Sequence, residues 1–184
     1  RGVSPTEVPP DTPYIGLEHL PRKSITLCDW GLASEVASTK LEFRKGEILF
    51  GKIRPYFHKV GVAPVDGVCS SDAIVLRVLD GDLHALVTSV VSSDEFVAYA
   101  TRTSQGTKMP RADWKVLRTF PVAVPPKALL NQFRAVFDSA LGLMQNLMFR
   151  NRALRVTRDL LLPRLISGEL DVSDLDIAVP EAAA

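Results

Sequence analysis

The stretch FRAVFDSALGLMQNLMFRNRALRVTRDLLLPRL, residues 133–165, carries the clearest pattern in this chain. Side chains spaced alternately four and three residues apart fall on one line of an α-helix, and most of them are apolar. That line consists of Phe133, Phe137, Ala140, Met144, Leu147, Asn151, Leu154, Arg158, Leu161 and Leu165. The spacing is a heptad repeat with two polar insertions, so it predicts a helix of coiled-coil type.

A helix of this length exceeds what a small domain covers. At about 1.5 Å per residue, residues 133–162 would form a rod of roughly 45 Å. The 184 residues show no second helical pattern of comparable length, so we expect another polypeptide to cover the outer part of this line. Asn151 and Arg158 would then fix the register of the two helices; alternatively, both face solvent. Pro163 is expected to stop or kink the helix.

Composition indicates a folded, soluble protein. Hydrophobic residues make up 46% of the chain and charged residues 23%. Cys28 and Cys69 lie far apart with no CxxC motif, which predicts neither a zinc site nor a disulfide framework and favours a reducing, cytoplasmic compartment. The chain has no apolar run of 18 residues or more, so we expect no membrane span. Because it does not begin with Met, we expect processing or excision from something longer.

The net charge of +1 conceals two basic blocks. Residues 40–59 carry six Lys or Arg and two Glu, whereas residues 102–118 carry five Lys or Arg and one Asp. Such separation is typical of a face that binds a polyanion. The alternative is that these side chains are solvated strand edges.

The pattern along the chain predicts an α+β fold. We expect a curled, β-rich domain with small helices, followed by a long C-terminal α-helix. Strands are predicted at residues 47–50, 60–63, 73–78 and 114–124, and helices at 83–91 and after a capping box of Ser92 and Glu95. The predicted parts are an extended lead-in (1–13), the domain (14–126), the long helix with a kink at Pro163 (127–168) and an acidic tail (169–184).

The first candidate site is a strand after Gly51. With a period of two, Lys52, Arg54, Tyr56 and His58 would share one face. Lysine and arginine neutralise phosphates, and arginine also pairs with the O6 and N7 atoms of guanine, so this face would suit DNA. The alternative is a solvated edge strand with Tyr56 half buried.

A second candidate site is the glycine-led turn at residues 106–111, where Thr107, Lys108 and Arg111 could approach a phosphate. Ser70, Ser71 and Asp72 offer small acceptors, although such a cluster more often caps its own loop. With the neighbouring lysines, the candidate DNA-binding set is Lys40, Lys52, Arg54, Tyr56, His58, Lys59, Ser70, Ser71, Asp72, Thr107, Lys108 and Arg111. Trp30 and Trp114 are interpreted as core or rim packing rather than as base-stacking platforms.

Patterns required for catalysis are absent from the sequence. An adenine methyltransferase needs a glycine-rich cofactor loop and an Asn/Asp-Pro-Pro-aromatic motif, and the nearest string, DTPY at residues 11–14, lacks the second proline. A metal-dependent nuclease needs clustered carboxylates, whereas Glu42 and Glu47 are isolated among lysine and arginine residues. The three histidines have no ligand spacing. We therefore expect neither an enzyme nor a metal site.

Several blocks occur in an order typical of one known family. They are YIGLEHL (14–20), SxKxxF at Ser38, Lys40 and Phe43, KGEILFGKIRPYFHKVG (45–61), GVCSSD (67–72), GTKMPRADW (106–114) and RDLLLPRLISGEL (158–170). Together they resemble the specificity subunit of type I restriction-modification systems. The resemblance covers one target-recognition domain and one conserved helix, and it implies the C-terminal half of such a subunit or a half-length version.

The resemblance implies a non-catalytic role. Such a subunit recognises one half of a bipartite target in double-stranded DNA with each recognition domain, and its helices pair and hold the two domains apart. Modification subunits methylate adenine with S-adenosylmethionine, and restriction subunits translocate and cleave. S-adenosylmethionine, Mg and ATP are thus expected only on partner subunits. Two alternatives stay open: the recognition module of a single-chain methyltransferase-nuclease, and a coiled-coil adaptor that binds protein.

Overall fold

The structure is a computed structural model that describes residues 1–173. The chain divides into two units, residues Arg1–Asn146 and the segment that begins at Leu147. Most of the predicted acidic tail, residues 174–184, lies outside the described residues. The predicted α+β class is confirmed, because two sheets and short helices are followed by one long helix.

Short strands and helices alternate along the first unit. The strands are β1 (Gly2–Val3), β2 (Pro13–Ile15), β3 (Gly31–Leu32), β4 (Lys40–Phe43), β5 (Ile48–Gly51), β6 (Val60–Val62), β7 (Gly67–Cys69) and β8 (Ala73–Leu76). The helices are α1 (His84–Val91), α2 (Asp94–Arg102), α3 (Trp114–Leu117) and α4 (Lys127–Ile166). A five-stranded sheet has the order β1-β4-β7-β2-β3, and a three-stranded antiparallel sheet has the order β6-β5-β8.

Strand β5 is buried on both faces. Ile48 and Phe50 pack in a cluster with α1 and α2, whereas Leu49 packs in a second cluster with residues of the five-stranded sheet. These three side chains are at most 1% exposed. Burial on both faces explains the continuous apolar run in the sequence. The strands predicted at 47–50, 60–63 and 73–78 are confirmed.

Residues 1–13, for which the sequence predicts an extended lead-in, include β1. This strand pairs with β4, so that Val3 lies opposite Lys40, and Val3 is 4% exposed. A 3-10 helix, Pro5–Glu7, follows. The segment therefore contributes to the edge of the five-stranded sheet.

Two local predictions are wrong. Helix α2 is capped by Ser93, whose side chain accepts a hydrogen bond from the Phe96 amide at 3.1 Å, rather than by Ser92. The predicted strand at 114–124 is instead α3, which Asp113 caps, followed by irregular chain at residues 121–126. The alternation of Val122 and Val124 imitates a strand, but Pro121 has no backbone donor and both valines are exposed.

The first part of α4, residues 127–146, belongs to the first unit and packs within it. Leu130 is buried, Phe137 meets the ring of His84 edge-on at 6.4 Å, and the sulfur of Met144 accepts a hydrogen bond from the Thr26 hydroxyl at 3.5 Å. Arg134 pairs with Asp82. Within residues 127–146, the inward face thus includes Leu130, Arg134, Phe137 and Met144, and only the last two belong to the predicted heptad line.

Helix α4 continues through Pro163 and ends at Ile166, so the predicted stop at this proline is wrong, while the kink stays a prediction. Gly168 then takes a left-handed φ of +73°, and its amide donates to the Leu165 carbonyl at 3.3 Å. This is the arrangement in which glycine commonly terminates a helix.

Candidate nucleic-acid interface

Three segments meet where β5 ends. The Lys52 amide donates to the Asp72 carbonyl at 2.9 Å, and the Lys52 carbonyl accepts from the Ala112 amide at 2.8 Å. Residues 52–57, 70–72 and 105–112 are therefore held together by backbone bonds. We call the surface formed by these three segments the β5-end surface.

The loop at residues 105–111 is closed on itself and fixed to its neighbour. Gln105 and Arg111 exchange reciprocal backbone hydrogen bonds of 3.0 and 2.8 Å. The Arg54 amide donates to the Pro110 carbonyl at 2.8 Å. Gly106 has a φ of +101°, a conformation that L side chains rarely adopt. Backbone hydrogen bonds and the left-handed conformation of Gly106 thus define the shape of this loop.

The β5-end surface is predominantly basic. Its segments contain Lys52, Arg54, Lys108 and Arg111, against one acid, Asp72. Arg111 lies 3.7 Å from the Asp72 carboxylate, and both side chains remain partly exposed, so the pair is weak. Exposed cations held on a fixed backbone suit the binding of phosphates.

The guanidinium groups of two arginines lie over Phe57. The Arg22 guanidinium lies 4.2 Å from the centre of the Phe57 ring, and that of Arg54 lies 5.9 Å from it. Tyr56 packs edge-on against the same ring at 4.9 Å and is 50% exposed. The sequence gives no signal for Arg22, because the ring that it contacts is remote along the chain.

Unusual backbone geometry is concentrated beside this surface. Among the described residues, the non-glycine residues with positive φ are Lys23, Arg54 and His58, at +53°, +49° and +52°. The Lys23 amide donates to the His58 carbonyl at 3.0 Å, so two of the three are in direct contact. Strained backbone of this kind persists where the surrounding structure enforces it, which is often at functional sites.

The predicted alignment of residues 52, 54, 56 and 58 on one strand face is wrong. Strand β5 stops at Gly51, and a 3-10 helix, Pro55–Phe57, follows. The left-handed residues Arg54 and His58 flank this helix and turn the chain. Lys52, Arg54 and Tyr56 reach the β5-end surface through this turn rather than through strand alternation.

Three of the candidate residues have their polar atoms engaged inside the fold. His58 is 7% exposed, and its Nε2 donates to the Ser92 carbonyl at 2.8 Å while Nδ1 lies 3.3 Å from the Asp94 carboxylate. Lys40 is 5% exposed, and its ammonium donates to the Ser38 carbonyl at 2.9 Å. Lys59 donates to the Leu17 carbonyl, and partial burial lowers its pKa.

The remaining candidates lie on the β5-end surface. Thr107, Lys108 and Arg111 are exposed in the closed loop. Ser71 is exposed, whereas the Ser70 hydroxyl accepts from the Asp72 amide at 3.2 Å and thereby caps its own turn. Ser70 thus has the local structural role that the alternative interpretation describes.

A cleft of about 520 Å³ borders the β5-end surface. Its lining includes Lys52, Gln105, Arg111 and Trp114. The Trp114 side chain is 44% exposed, so this aromatic lies at a surface rather than in the core. Of the two packing positions expected for Trp114, core or rim, this exposure excludes the core.

Metal ligands, membrane-spanning helices and the buried thiol are the remaining features of residues 1–173 that bear on function. Within that range, no group of three or more His, Cys, Asp or Glu side chains is placed to hold a metal ion. No helix of these residues is long and apolar enough to cross a membrane. Cys69 is fully buried, and burial raises the pKa of its thiol to about 12, which leaves it protonated and unreactive.

Beyond the first unit, α4 exposes many apolar side chains. Leu147 is 49% exposed, Leu154 66% and Leu161 40%. The polar members of the predicted line, Asn151 and Arg158, are also exposed, and Arg158 pairs with the adjacent Asp159 at 2.7 Å. Nearer the start of α4, Phe133 and Ala140 are exposed as well.

Comparisons with known proteins point to one family. No protein-family model matches the chain. The chain is 36% identical over 95 residues to the type I restriction enzyme EcoDI specificity subunit of Escherichia coli, a match that covers 52% of this chain and 21% of that protein.

Solved structures share the fold. The HsdS subunit from Thermoanaerobacter tengcongensis superimposes with a TM-score of 0.56 at 19% identity, over 98% of this chain and 51% of that chain. A second solved chain comes from a study of complex assembly and conformational transition in the type I R-M system. It superimposes with a TM-score of 0.53 at 20% identity, over 98% of this chain and 51% of that chain. This chain spans about half the length of the solved chains that it matches. The resemblance predicted from the sequence is thereby confirmed: the chain is similar in sequence to the specificity subunit of a type I restriction enzyme and shares its fold with a solved HsdS subunit.

Proposed function

We propose that this chain recognises one half of a bipartite target in double-stranded DNA, as the non-catalytic specificity component of a type I restriction-modification complex. The observation that carries the proposal is the β5-end surface, where backbone bonds hold basic segments in fixed positions. The relationship to specificity subunits supports the same assignment. Such a complex acts on cellular DNA, which is consistent with the cytoplasmic compartment that the sequence favours.

Within the β5-end surface, the residues differ in their proposed contacts. Lys52, Lys108 and Arg111 are accessible cations and would bind phosphates. Thr107 and Ser71 are small exposed hydroxyl donors beside them. Tyr56 adds a half-exposed aromatic ring. His58, Lys40 and Lys59 are assigned no DNA contact, because their polar atoms already have partners within the fold.

Helix α4 would pair with the helix of another specificity half. Its exposed leucines, Leu147, Leu154 and Leu161, are spaced by seven residues and form one apolar line. Large apolar side chains that recur at this spacing on a water-exposed helix are typical of an unfilled coiled-coil seam. If this chain acts as a half-length subunit, its partner would be a second copy.

Catalysis would belong to partner subunits. Modification subunits would bind S-adenosylmethionine, and restriction subunits would bring ATP and Mg. This chain would provide the DNA contact and a docking surface for modification subunits. The proposal assigns no chemical step to any residue of this chain.

A salt titration of duplex binding tests the assignment. Binding of one phosphate by each of the cations Lys52, Lys108 and Arg111 predicts a log-log slope of about −3, since each contact contributes about −0.9. Lys108→Ala should reduce the slope by about 1 and weaken every duplex alike. Lys45→Ala is the matched control, because Lys45 precedes β5 and therefore lies at the opposite end of that strand from Lys52.

The outcomes separate the candidate functions. If the slope of binding against salt becomes shallower in Lys108→Ala but not in Lys45→Ala, the result supports DNA recognition at the β5-end surface. If Lys45→Ala reduced the slope and the affinity by the same amount as Lys108→Ala, the DNA interface would have to include another part of the domain. A chain that shows no salt-dependent duplex binding would favour the protein-binding adaptor.

A further inference from the structure

Met109 occupies an unusual position on the β5-end surface. Its thioether side chain is 50% exposed at the tip of the closed loop. Lys108 precedes it, and Pro110 and the basic Arg111 follow. A single exposed apolar residue is ordinary on a protein surface. Here, however, the apolar side chain lies between two cations on the face that we assign to DNA.

The backbone that carries Met109 is fixed on both sides. The Lys108 carbonyl accepts a hydrogen bond from the Arg54 guanidinium at 3.4 Å, and the Pro110 carbonyl accepts from the Arg54 amide at 2.8 Å. The reciprocal Gln105 and Arg111 bonds close the loop below. Binding would therefore lose little additional backbone entropy when the tip meets a ligand.

The exposed aromatic side chain of this surface, Tyr56, is less suited to insertion than Met109. Tyr56 packs edge-on against Phe57, and the Phe57 ring also lies under the Arg22 guanidinium. Moving Tyr56 into a ligand would disrupt this packing. Met109 is an unbranched side chain with three rotatable bonds, so it fits irregular apolar gaps.

We propose that Met109 is a wedge that inserts between two adjacent base pairs of the bound duplex, an inference that rests on the proposed function. Lys108 and Arg111 would hold phosphates on either side of the opened step. Methionine is among the residues that proteins use to unstack and kink DNA. Steps that unstack easily, such as TA and CA, would then be preferred at this position of the target. Met109 would thus contribute to specificity without hydrogen bonding to a base.

The test uses the full chain and duplexes that the wild-type protein enriches from a randomised pool. Met109→Ala should weaken binding to an enriched duplex about tenfold and leave a scrambled duplex and the salt slope unchanged. Met109→Leu should stay within about threefold of wild type, because leucine retains an apolar wedge. Leu79→Ala is the control, because Leu79 is an apolar side chain that is 94% exposed and lies in none of the three segments of the β5-end surface.

A second readout reports unstacking directly. The enriched duplex is prepared with 2-aminopurine at successive positions, since the fluorescence of this base rises when it is unstacked. Wild type and Met109→Leu should raise the fluorescence at one step, and Met109→Ala should not. Circular dichroism and thermal melting of Met109→Ala and Met109→Leu should match those of wild type, because position 109 is exposed.

The two hypotheses fail in different ways. In one outcome, wild type enriches duplexes, and Met109→Ala has the same preference for the enriched over the scrambled duplex and the same 2-aminopurine fluorescence as wild type. This outcome would reject the wedge and leave DNA recognition intact. A wild-type chain that enriches no duplex would reject the proposed function, and with it the wedge.

Discussion

Arg54 donates two hydrogen bonds to the neighbouring loop, from its backbone amide to the Pro110 carbonyl at 2.8 Å and from its guanidinium to the Lys108 carbonyl at 3.4 Å. The guanidinium also lies 5.9 Å from the centre of the Phe57 ring. From the sequence, Arg54 is a candidate for pairing with guanine. Its geometry makes it a positioning residue that sets where the loop presents Lys108.

Arg54→Ala should loosen the loop without unfolding the domain. The backbone bond to Pro110 remains, but the side-chain bond to Lys108 is lost. We expect faster hydrogen exchange in the 105–111 peptide alone, together with weaker duplex binding. Arg54→Lys keeps the charge but not the planar group, so it should also loosen the loop. Unchanged exchange in both variants would show that the guanidinium does not position the loop.

Leu147→Asp should abolish helix pairing. A carboxylate in an apolar seam would have to be buried without a partner, which is strongly unfavourable. Sedimentation equilibrium should show a shift from dimer to monomer. Asn146→Asp adds the same charge at the adjacent position, outside the heptad line, and should remain dimeric. A Leu147→Asp chain that stays dimeric would contradict the proposed seam.

The two thiols should differ sharply in reactivity. Cys28 is exposed, whereas Cys69 is fully buried and has a pKa raised by burial to about 12. Because the thiolate is the reactive form, a thiol reagent at neutral pH should modify Cys28 in the folded protein and Cys69 only after unfolding. Mass spectrometry of the modified peptides measures this directly. Rapid labelling of Cys69 in the folded state would contradict the described core.

Glu47 should make stability depend on pH. Burial opposes its ionisation, but the hydrogen bond from Arg77 and that from the Arg44 amide hold its pKa below the ordinary value. A lowered folded-state pKa contributes stability that is present above the unfolded pKa and is lost as the pH falls through the folded one.

Glu47→Gln should therefore lower the free energy of unfolding by about 1 kcal/mol at neutral pH, since the Arg77 side chain is largely exposed and solvated. Wild type and variant should converge as the pH falls below the carboxyl range. Urea unfolding between about pH 7 and pH 3 measures the difference. The exposed Glu95→Gln serves as control, and a constant difference across this range would refute the linkage.

Sequence reasoning predicts the parts of the fold that depend on local pattern. The apolar run of β5 is visible because both of its faces are buried, and α4 is visible because its spacing persists over many turns. The strand predicted at residues 114–124 is wrong. Val122 and Val124 follow the alternating pattern of a strand, but no neighbouring strand among the described residues forms hydrogen bonds with this segment. Whether a short pattern becomes a strand depends on partners that are remote in the chain.

The candidate site was likewise predicted only in part from the sequence. Residue type and charge pointed to Lys52, Lys108 and Arg111, which reach one surface. Arg22 was missed because its contact with Phe57 is tertiary. His58 was placed on the surface by its spacing, whereas the left-handed turn at this residue directs the chain elsewhere.

The reciprocal bonds between Gln105 and Arg111 use backbone atoms only, and so do the carbonyl acceptors at residues 108 and 110. Closure of the loop therefore does not depend on which side chains occupy positions 107 to 109, provided that Gly106 is kept. Side chains at these three positions could therefore be replaced without loss of the loop conformation or of the core beneath it.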